Sequence, residues 1–251
     1  MRDFRRLLDA ALNDRDAEGR KWADAQWGCY AFYDYDGEPI YVGQTNEQLR
    51  VRVRRHLTNQ RTDAVAMRVL DVFEVAEMEL WPLWDFEGVT KRKDPEGFRR
   101  AQEILDRTEY TAYLAAIDAS RFKAILNEKI PPVSPTIDLP PSQRFQLISQ
   151  ATRDERGHPD VRIARRAETI SRLAAVAHER GEVSDGLRRV LVIQAVRLAY
   201  ISAVRLAYVE GRPTPPMVID VIGLVGSVLA EPSDPLGLTD LDEMEGVEDG
   251  D

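Results

Sequence analysis

The alternation of apolar and polar positions predicts a small β-sheet in the first third of the chain. Residues 27–35 and 39–43 are short, aromatic-rich runs that alternate with the period of a strand, and the loop between them contains Asp36-Gly37. This pattern predicts a β-hairpin. Apolar residues among glutamates predict a third strand at 73–80. We expect a three-stranded sheet, mixed or antiparallel.

Helical periodicity surrounds these strands. Residues 3–22 place apolar side chains at spacings of three and four, which predicts an amphipathic helix packed on the sheet. Asp94 followed by Pro95 indicates the start of another long helix, with the aspartate as its cap. Further helices are predicted at 46–58, 62–70 and 122–127. The fold class is therefore α/β, or α+β, with helices flanking a small sheet.

A proline-rich segment, 131–141, marks the clearest boundary, with five prolines in eleven residues. We predict one domain over 1–135, a linker at 136–141 and an all-helical domain over 142–230. Its helices are expected near 142–156, 160–181, 184–210 and 215–230. The last segment, 231–251, has few large apolar residues and is expected to be a disordered acidic tail.

Charge is unevenly distributed along the 251 residues. The net charge is −9, but residues 231–251 hold nine acidic groups and no basic ones, so the rest of the chain is neutral. Residues 141–230 carry thirteen arginines against nine acids. An acidic total therefore does not exclude a nucleic-acid partner. Solvated helix faces are the alternative interpretation of these arginines.

Cysteine content and hydropathy indicate a cytoplasmic protein. One cysteine excludes an internal disulfide and is typical of a reducing compartment. The N-terminus lacks the apolar core of a signal peptide, and no apolar run approaches the roughly 20 residues that span a membrane. We therefore expect no membrane partner.

Two Gly/Tyr triplets on the predicted hairpin carry the most specific signal. They are Gly28-Cys29-Tyr30 and Tyr41-Val42-Gly43, and the next helix follows with Arg52 and, one turn later, His56. This arrangement resembles the opening of a GIY-YIG nuclease domain. Cys29 and Val42 stand where isoleucine is usual in the family, but both are apolar strand positions.

The resemblance implies a DNA endonuclease that hydrolyses phosphodiester bonds with one divalent cation, Mg²⁺ or Mn²⁺. In the family one tyrosine is a candidate general base and the other positions water or phosphate, so Tyr30 and Tyr41 take these roles in an open order. We expect both tyrosines at corresponding positions of neighbouring strands. Arg52 would bind the scissile phosphate, and His56 would accept or orient a tyrosine proton.

Two more residues complete the implied site. Glu109 is the candidate metal ligand, with Glu103, six residues earlier, as the alternative. Asn127 resembles the asparagine that closes the family domain and holds its loops by side-chain hydrogen bonds. The distance from Glu109 to Asn127 in the chain is longer than the family pattern suggests. Gln44-Thr45 also stands where many members have a lysine.

Phosphate contacts are expected from basic residues near this site. The candidates are Arg50, Arg54, Arg55, Lys91, Arg92 and Lys93, with Arg162, Arg165, Arg166 and Arg172 as further ones in the helical region. That region would bind DNA through its arginines or form a homodimer through its apolar helices. Restriction or phage defence, homing of a mobile element and repair of distorted DNA are all open, and the tyrosine, arginine, histidine, glutamate and asparagine set most resembles restriction-type members of the family. Two alternatives remain: a catalytically silent nucleic-acid-binding protein and a protein-interaction adaptor on the same fold.

Overall fold

The computed structural model of the chain describes residues 2–58, 70–181 and 183–231. Its helices are α1 (Arg2–Asn13), α2 (Leu49–Thr58), α3 (Pro95–Ala119), α4 (Gln150–Arg156), α5 (Pro159–Arg180), α6 (Asp185–Val209) and α7 (Val221–Val225). Its strands are β1 (Gly28–Tyr33), β2 (Pro39–Thr45), β3 (Glu77–Pro82) and β4 (Gln143–Gln146). The α+β class predicted from the sequence is confirmed.

The sheet has four antiparallel strands in the order β2-β1-β3-β4. The predicted count of three was wrong, because β4 lies within 142–156, where a helix was expected. Its four residues alternate between half-buried and exposed, too short a pattern to separate from a helix. What fixes it as a strand is pairing with β3, more than sixty residues earlier in the chain.

Helix α3 begins where the sequence indicated. The Asp94 carboxylate accepts a hydrogen bond from Gly97 N at 2.9 Å, and Pro95 occupies the first helical position. Helix α1 is shorter than the predicted 3–22, because the chain turns at Gly19 with φ of 80° and Arg15 pairs with Lys21. The prediction for 62–70 lies almost wholly outside the described residues.

The predicted helix at 122–127 was wrong. Ser120 ends α3, and its hydroxyl group contacts Glu38 and accepts a hydrogen bond from Phe122 N, which forms a turn in place of a new helix. Lys123 has φ of 50°, outside the helical range. Leu126 N then donates to Ile40 O at 2.8 Å, so the segment runs along the free edge of β2.

Helices α2 and α3 lie on opposite faces of the hairpin. Tyr30 contacts His56 of α2, whereas its neighbour Cys29 lies against Leu105 of α3. Side chains alternate between the two faces of a strand, so these contacts assign one helix to each face. The two faces meet at β2, which is the edge strand on this side of the described sheet.

Helices α5 and α6 pack on each other and extend the core of the sheet. Their buried apolar residues belong to the same hydrophobic cluster as the strands. Helix α6 is the one described helix long and apolar enough to cross a membrane, with a mean hydropathy of 1.7. It also carries Arg197, which is buried and paired with Asp34 of the hairpin turn. The division of the chain at 136–141 stays a prediction.

Candidate active site

The two motif glycines allow close approach between elements. Gly43 faces Tyr30 across the hairpin, and a Cβ atom at Gly43 would lie 2.6 Å from the Tyr30 hydroxyl oxygen. A Cβ atom at Gly28 would lie 2.7 Å from the carbonyl oxygen of Trp81 on β3. Such distances exclude any side chain without rearrangement. The glycines therefore let Tyr30 lie across β2 and let β1 pack against β3.

Tyr30 and Tyr41 share one face of the hairpin but are not directly opposite. Tyr41 faces Phe32, and Tyr30 faces Gly43, so the tyrosines are diagonal neighbours with ring centroids 6.2 Å apart. The expectation of corresponding positions was wrong, because the two tyrosines are offset by two residues in the strand register. Tyr30 is fully buried, whereas Tyr41 is only half-buried.

His56 and Arg52 on α2 both reach the Tyr30 hydroxyl group. The distance from Tyr30 Oη to His56 Nε2 is 2.8 Å, and the charge of Arg52 acts on the same phenol. The tautomer of His56 determines whether the phenol or the imidazole donates in this hydrogen bond. Spacing of i and i+4 on the helix is what brings both side chains to one tyrosine.

The electrostatics of the tyrosines follow from burial and from three neighbours. Burial raises the pKa of Tyr30 well above its ordinary value, Tyr41 adds to that shift, and Arg52 opposes it. Burial also raises the pKa of Tyr41, where the charge of Glu109 adds to the effect and Arg52 again opposes it. The phenols, Arg52 and Glu109 thus form one interacting group.

Glu109 reaches this group from α3. It is 9% exposed, and no hydrogen bond joins its carboxylate to a residue of the described ranges. Burial, with a smaller contribution from Asp106, raises its pKa to about 8, while Arg52 acts in the opposite direction. Glu103, the alternative, is exposed beside Arg107 on another face of α3. The geometry favours Glu109 over Glu103 as a ligand.

Asp106 and Gln44 lie beside Glu109 and were not predicted as site residues. Gln44 Nε2 donates to Asp106 Oδ1 at 3.0 Å, and Gln102 Nε2 donates to the same oxygen at 2.8 Å. Asp106 is one turn before Glu109, so it faces the same side of α3. That i, i+3 spacing of two carboxylates was visible in the sequence and could have indicated the pair.

Asn127 lies at the edge of the sheet and binds β2 directly. Its amide nitrogen donates to Val42 O at 2.8 Å, and its amide oxygen accepts from Val42 N at 3.1 Å. The side chain thus imitates one residue of a neighbouring strand. It holds the strand that carries Tyr41 and Gly43, where loops were expected. The long spacing from Glu109 is filled by the end of α3 and the turn after it.

The predicted phosphate-binding residues fall into two groups. Arg50 pairs with Asp24, Arg54 with Asp9 at 2.6 Å, and Arg55 with Glu47 through both of its terminal nitrogens. Each of these three arginines of α2 therefore already has an acidic partner. The other group, Lys91, Arg92 and Lys93, is exposed in the loop before α3 and has no ion pair within the described residues.

Arg162 and Arg166 do not face solvent, contrary to both interpretations made from the sequence. They point inward from α5, join Arg197 of α6, and bind Asp34 and Glu74. We name these five residues the Asp34 cluster. Burial would raise the pKa of Asp34, but the three guanidinium groups outweigh it and lower that pKa. The cluster is a structural ion-pair network behind the hairpin turn.

The chemistry of the candidate site suits a hard divalent cation. Glu109 offers a buried carboxylate with no hydrogen bond from a described residue, and oxygen is the ligand atom that Mg²⁺ prefers. No group of three or more histidine, cysteine or acidic side chains is arranged for a metal within the described residues. A cation held here would therefore keep most of its shell for water and substrate, as Mg²⁺ usually does.

Comparison with known proteins agrees with the geometry. Residues 26–91 match the family model described as the GIY-YIG catalytic domain. The match spans the hairpin, α2 and β3, and ends before Glu109 and Asn127. Residues 26–91, about a quarter of the chain, are therefore similar to the GIY-YIG nuclease superfamily, whose members generally use divalent metals. No curated protein and no solved structure gives a significant match.

Proposed function

We propose that this protein is a divalent-metal-dependent DNA endonuclease that hydrolyses phosphodiester bonds. The observation that carries the proposal is the convergence of Tyr30, Tyr41, Arg52, His56 and Glu109 at one edge of the sheet. They come from two strands and from helices on opposite faces. A packing role explains none of these polar contacts as well as a shared substrate does.

Glu109 and Arg52 would act on the substrate phosphate. Glu109 would hold Mg²⁺ or Mn²⁺, which supplies a Lewis acid for a phosphate oxygen and stabilises the leaving oxygen. Arg52 is half-buried, and its planar fork can bind two phosphate oxygens while charge builds up on them. Its charge acts on both tyrosines, so it belongs to the same site.

The tyrosines differ in access, which suggests different roles. Tyr41 is half-buried and would contact the attacking water, whereas the fully buried Tyr30 would position Tyr41 and Arg52. Attack by water on phosphorus releases one proton, and the leaving oxygen takes one up. The hydrogen bond between Tyr30 and His56 would give the released proton a route to an imidazole nitrogen.

The test is plasmid nicking in Mg²⁺ or Mn²⁺ with the wild type, Glu109→Gln and Glu103→Gln. We expect Glu109→Gln to lose at least about 10²- to 10³-fold in rate, a loss of the size caused by removing one transition-state contact. Glu103→Gln is the matched control, since it removes one carboxylate from the same helix but from an exposed face. It should cleave like the wild type.

Two results would contradict the proposal. Equal cleavage by the wild type and Glu109→Gln would show that Glu109 holds no catalytic metal. Binding of duplex DNA without cleavage in either metal would favour the alternative, a catalytically silent nucleic-acid-binding protein or adaptor. The nearly complete set of family residues is the reason to prefer the enzyme.

The cellular role and the assembly state extend the proposal. Restriction or phage defence rests on the His56 and Asn127 arrangement alone, and lower phage plating on cells with the wild-type gene than with the Glu109→Gln gene would test it. Dimerisation through the helical region rests on exposed apolar side chains at the end of α6, such as Leu206 and Tyr208. Light scattering of the wild type and a Leu206→Glu/Tyr208→Glu variant would test that part.

A further inference from the structure

One face of α3 carries a row of polar side chains that leads to Glu109. Gln102, Asp106 and Glu109 follow at spacings of four and three, and Gln44 donates to the middle residue. Arg99 lies seven residues before Asp106, which is about two helical turns, and so belongs to the same row. Arg100, its neighbour, lies about half a turn away from Glu109 around the helix.

Cations are concentrated at the far end of this row. Lys91, Arg92 and Lys93 occupy the turn that precedes α3, and Arg99 lies in its second turn; we name these four residues the basic patch. All four are exposed. Asp94 and Glu96 are the acidic neighbours, but Asp94 caps Gly97 and Glu96 lies 3.9 Å from Arg99 in a pair open to solvent. Such a pair contributes little and leaves Arg99 available.

The arginines of α2 differ from the basic patch in their acidic partners. Arg50, Arg54 and Arg55 each have an acidic partner within ion-pair distance. A phosphate would have to displace those carboxylates, which offsets much of the electrostatic gain. In the basic patch only Arg99 has an acidic partner among the described residues, and that pair, with Glu96 at 3.9 Å, is open to solvent.

We propose that the basic patch binds the DNA backbone about four to five base pairs from the cleaved bond, and that the polar row of α3 lies under the duplex between these points. The proposal rests on the nuclease function proposed above. Ten residues separate Arg99 from Glu109, which is about 15 Å along the helix axis. A duplex rises about 3.4 Å per base pair, so this length corresponds to four or five base pairs.

Salt dependence of binding tests the contact. A fluorescent 30-base-pair duplex is titrated in a KCl series with Glu109→Gln protein, which keeps the DNA intact. In the same background, Lys91→Gln/Arg92→Gln/Lys93→Gln/Arg99→Gln removes the basic patch. We expect the log–log salt slope to become less negative by about 3, and affinity at low salt to fall at least about tenfold.

Two controls separate a local contact from a general loss of positive charge. Arg5→Gln/Arg188→Gln/Arg212→Gln removes three exposed arginines elsewhere and should change the slope by less than about 1. Arg99→Gln compared with Arg100→Gln isolates the face of α3. The first should weaken binding and the second should not.

Cleavage of shortened duplexes tests the distance. Wild-type protein should cut a duplex more slowly when one side of the cut is trimmed to about two base pairs, since the basic patch then lacks a phosphate to bind. The variant without the patch should be insensitive to that trimming. Its full-length rate at saturating DNA should approach that of the wild type, because no patch residue touches the reacting atoms.

The outcomes distinguish this inference from the proposed function. If the wild type neither binds nor cuts duplex DNA, the nuclease proposal fails and this inference fails with it. If it cuts, but removal of the patch leaves both the salt slope and the length dependence unchanged, the inference alone is overturned. Equal losses in Arg99→Gln and Arg100→Gln would also overturn it.

Discussion

Two buried carboxylates on either side of the hairpin have opposite surroundings. Asp34, at the turn, accepts five hydrogen bonds: two from backbone N–H groups and one each from Arg162, Arg166 and Arg197. Glu109, beside the tyrosines, accepts none from the described residues. The pKa of Asp34 is lowered, whereas that of Glu109 is raised to about 8.

The difference shows how to distinguish structural charge from functional charge in this fold. A buried ion is tolerated when hydrogen bonds and opposite charges replace its water. Asp34 meets that condition within the protein, so its charge is structural. Glu109 does not, and the missing positive charge is what a bound divalent cation would supply.

The largest effect on stability should come from removing Asp34, the carboxylate with charged partners. Asp34→Ala leaves three guanidinium groups without their shared carboxylate, and loss of a buried partner typically costs 3–5 kcal/mol. We expect the free energy of unfolding, measured in urea, to fall by about that amount. Asp36→Ala is the control, because Asp36 is half-exposed and pairs with Arg162 alone. Similar losses in both variants would contradict the role given to Asp34.

Removing the Glu109 carboxylate should raise the free energy of unfolding, the opposite of the effect of Asp34→Ala. The native state of the wild type binds the Glu109 proton more tightly than the unfolded chain does. Unfolding free energy therefore falls as pH rises from about 4.5, the ordinary value, to about 8. Glu109→Gln removes that loss, so we expect a gain of at most about 4 kcal/mol at pH 8 in EDTA and almost none at pH 4.5.

Denaturation at the two pH values, with and without Mg²⁺, measures this effect. Mg²⁺ should stabilise the wild type more than the variant, since binding to the native state adds to stability. If the variant is less stable than the wild type at pH 8, the Glu109 carboxylate has a stabilising partner in the native state, and the contrast with Asp34 is wrong.

The smallest effect should come from Asp106, which sharpens the comparison without breaking it. Asp106→Asn removes a negative neighbour that helps to raise the pKa of Glu109. We expect that pKa to fall by about one unit or less, which corresponds to roughly 1 kcal/mol. Proton release on Mg²⁺ binding, followed by calorimetry across pH 6 to 9, should shift to lower pH. An unchanged pH profile would exclude Asp106 as a cause.

The local parts of the site were predictable because short-range rules determine them. Alternation and the Asp36-Gly37 turn indicated the hairpin, and the spacing of Arg52 and His56 placed both on one helix face. The family resemblance then directed attention to Glu109, which the geometry favours. The glycine of the second triplet also has a local reason, the approach of Tyr30 to Gly43 across the hairpin.

The parts that were missed depend on residues far apart in the chain. Asp34 meets Arg197 across 163 positions, and β4 is a strand only because β3 lies beside it. No local period encodes such pairs. One signal was present nonetheless: Arg197 stands within a long apolar helix, where an unpaired charge would be costly. An arginine in that context predicts a buried acidic partner.

The Asp34 cluster also limits how the gene can be divided. The matched segment, 26–91, has the length of a separate domain. Its hairpin turn nevertheless carries Asp34, whose three arginine partners lie more than 120 residues later in the chain. A fragment cut at the proline-rich segment would keep the tyrosines and Glu109 but uncover Asp34 and Glu74. Transfer of the hairpin to another protein would therefore have to include α5 and α6 as well.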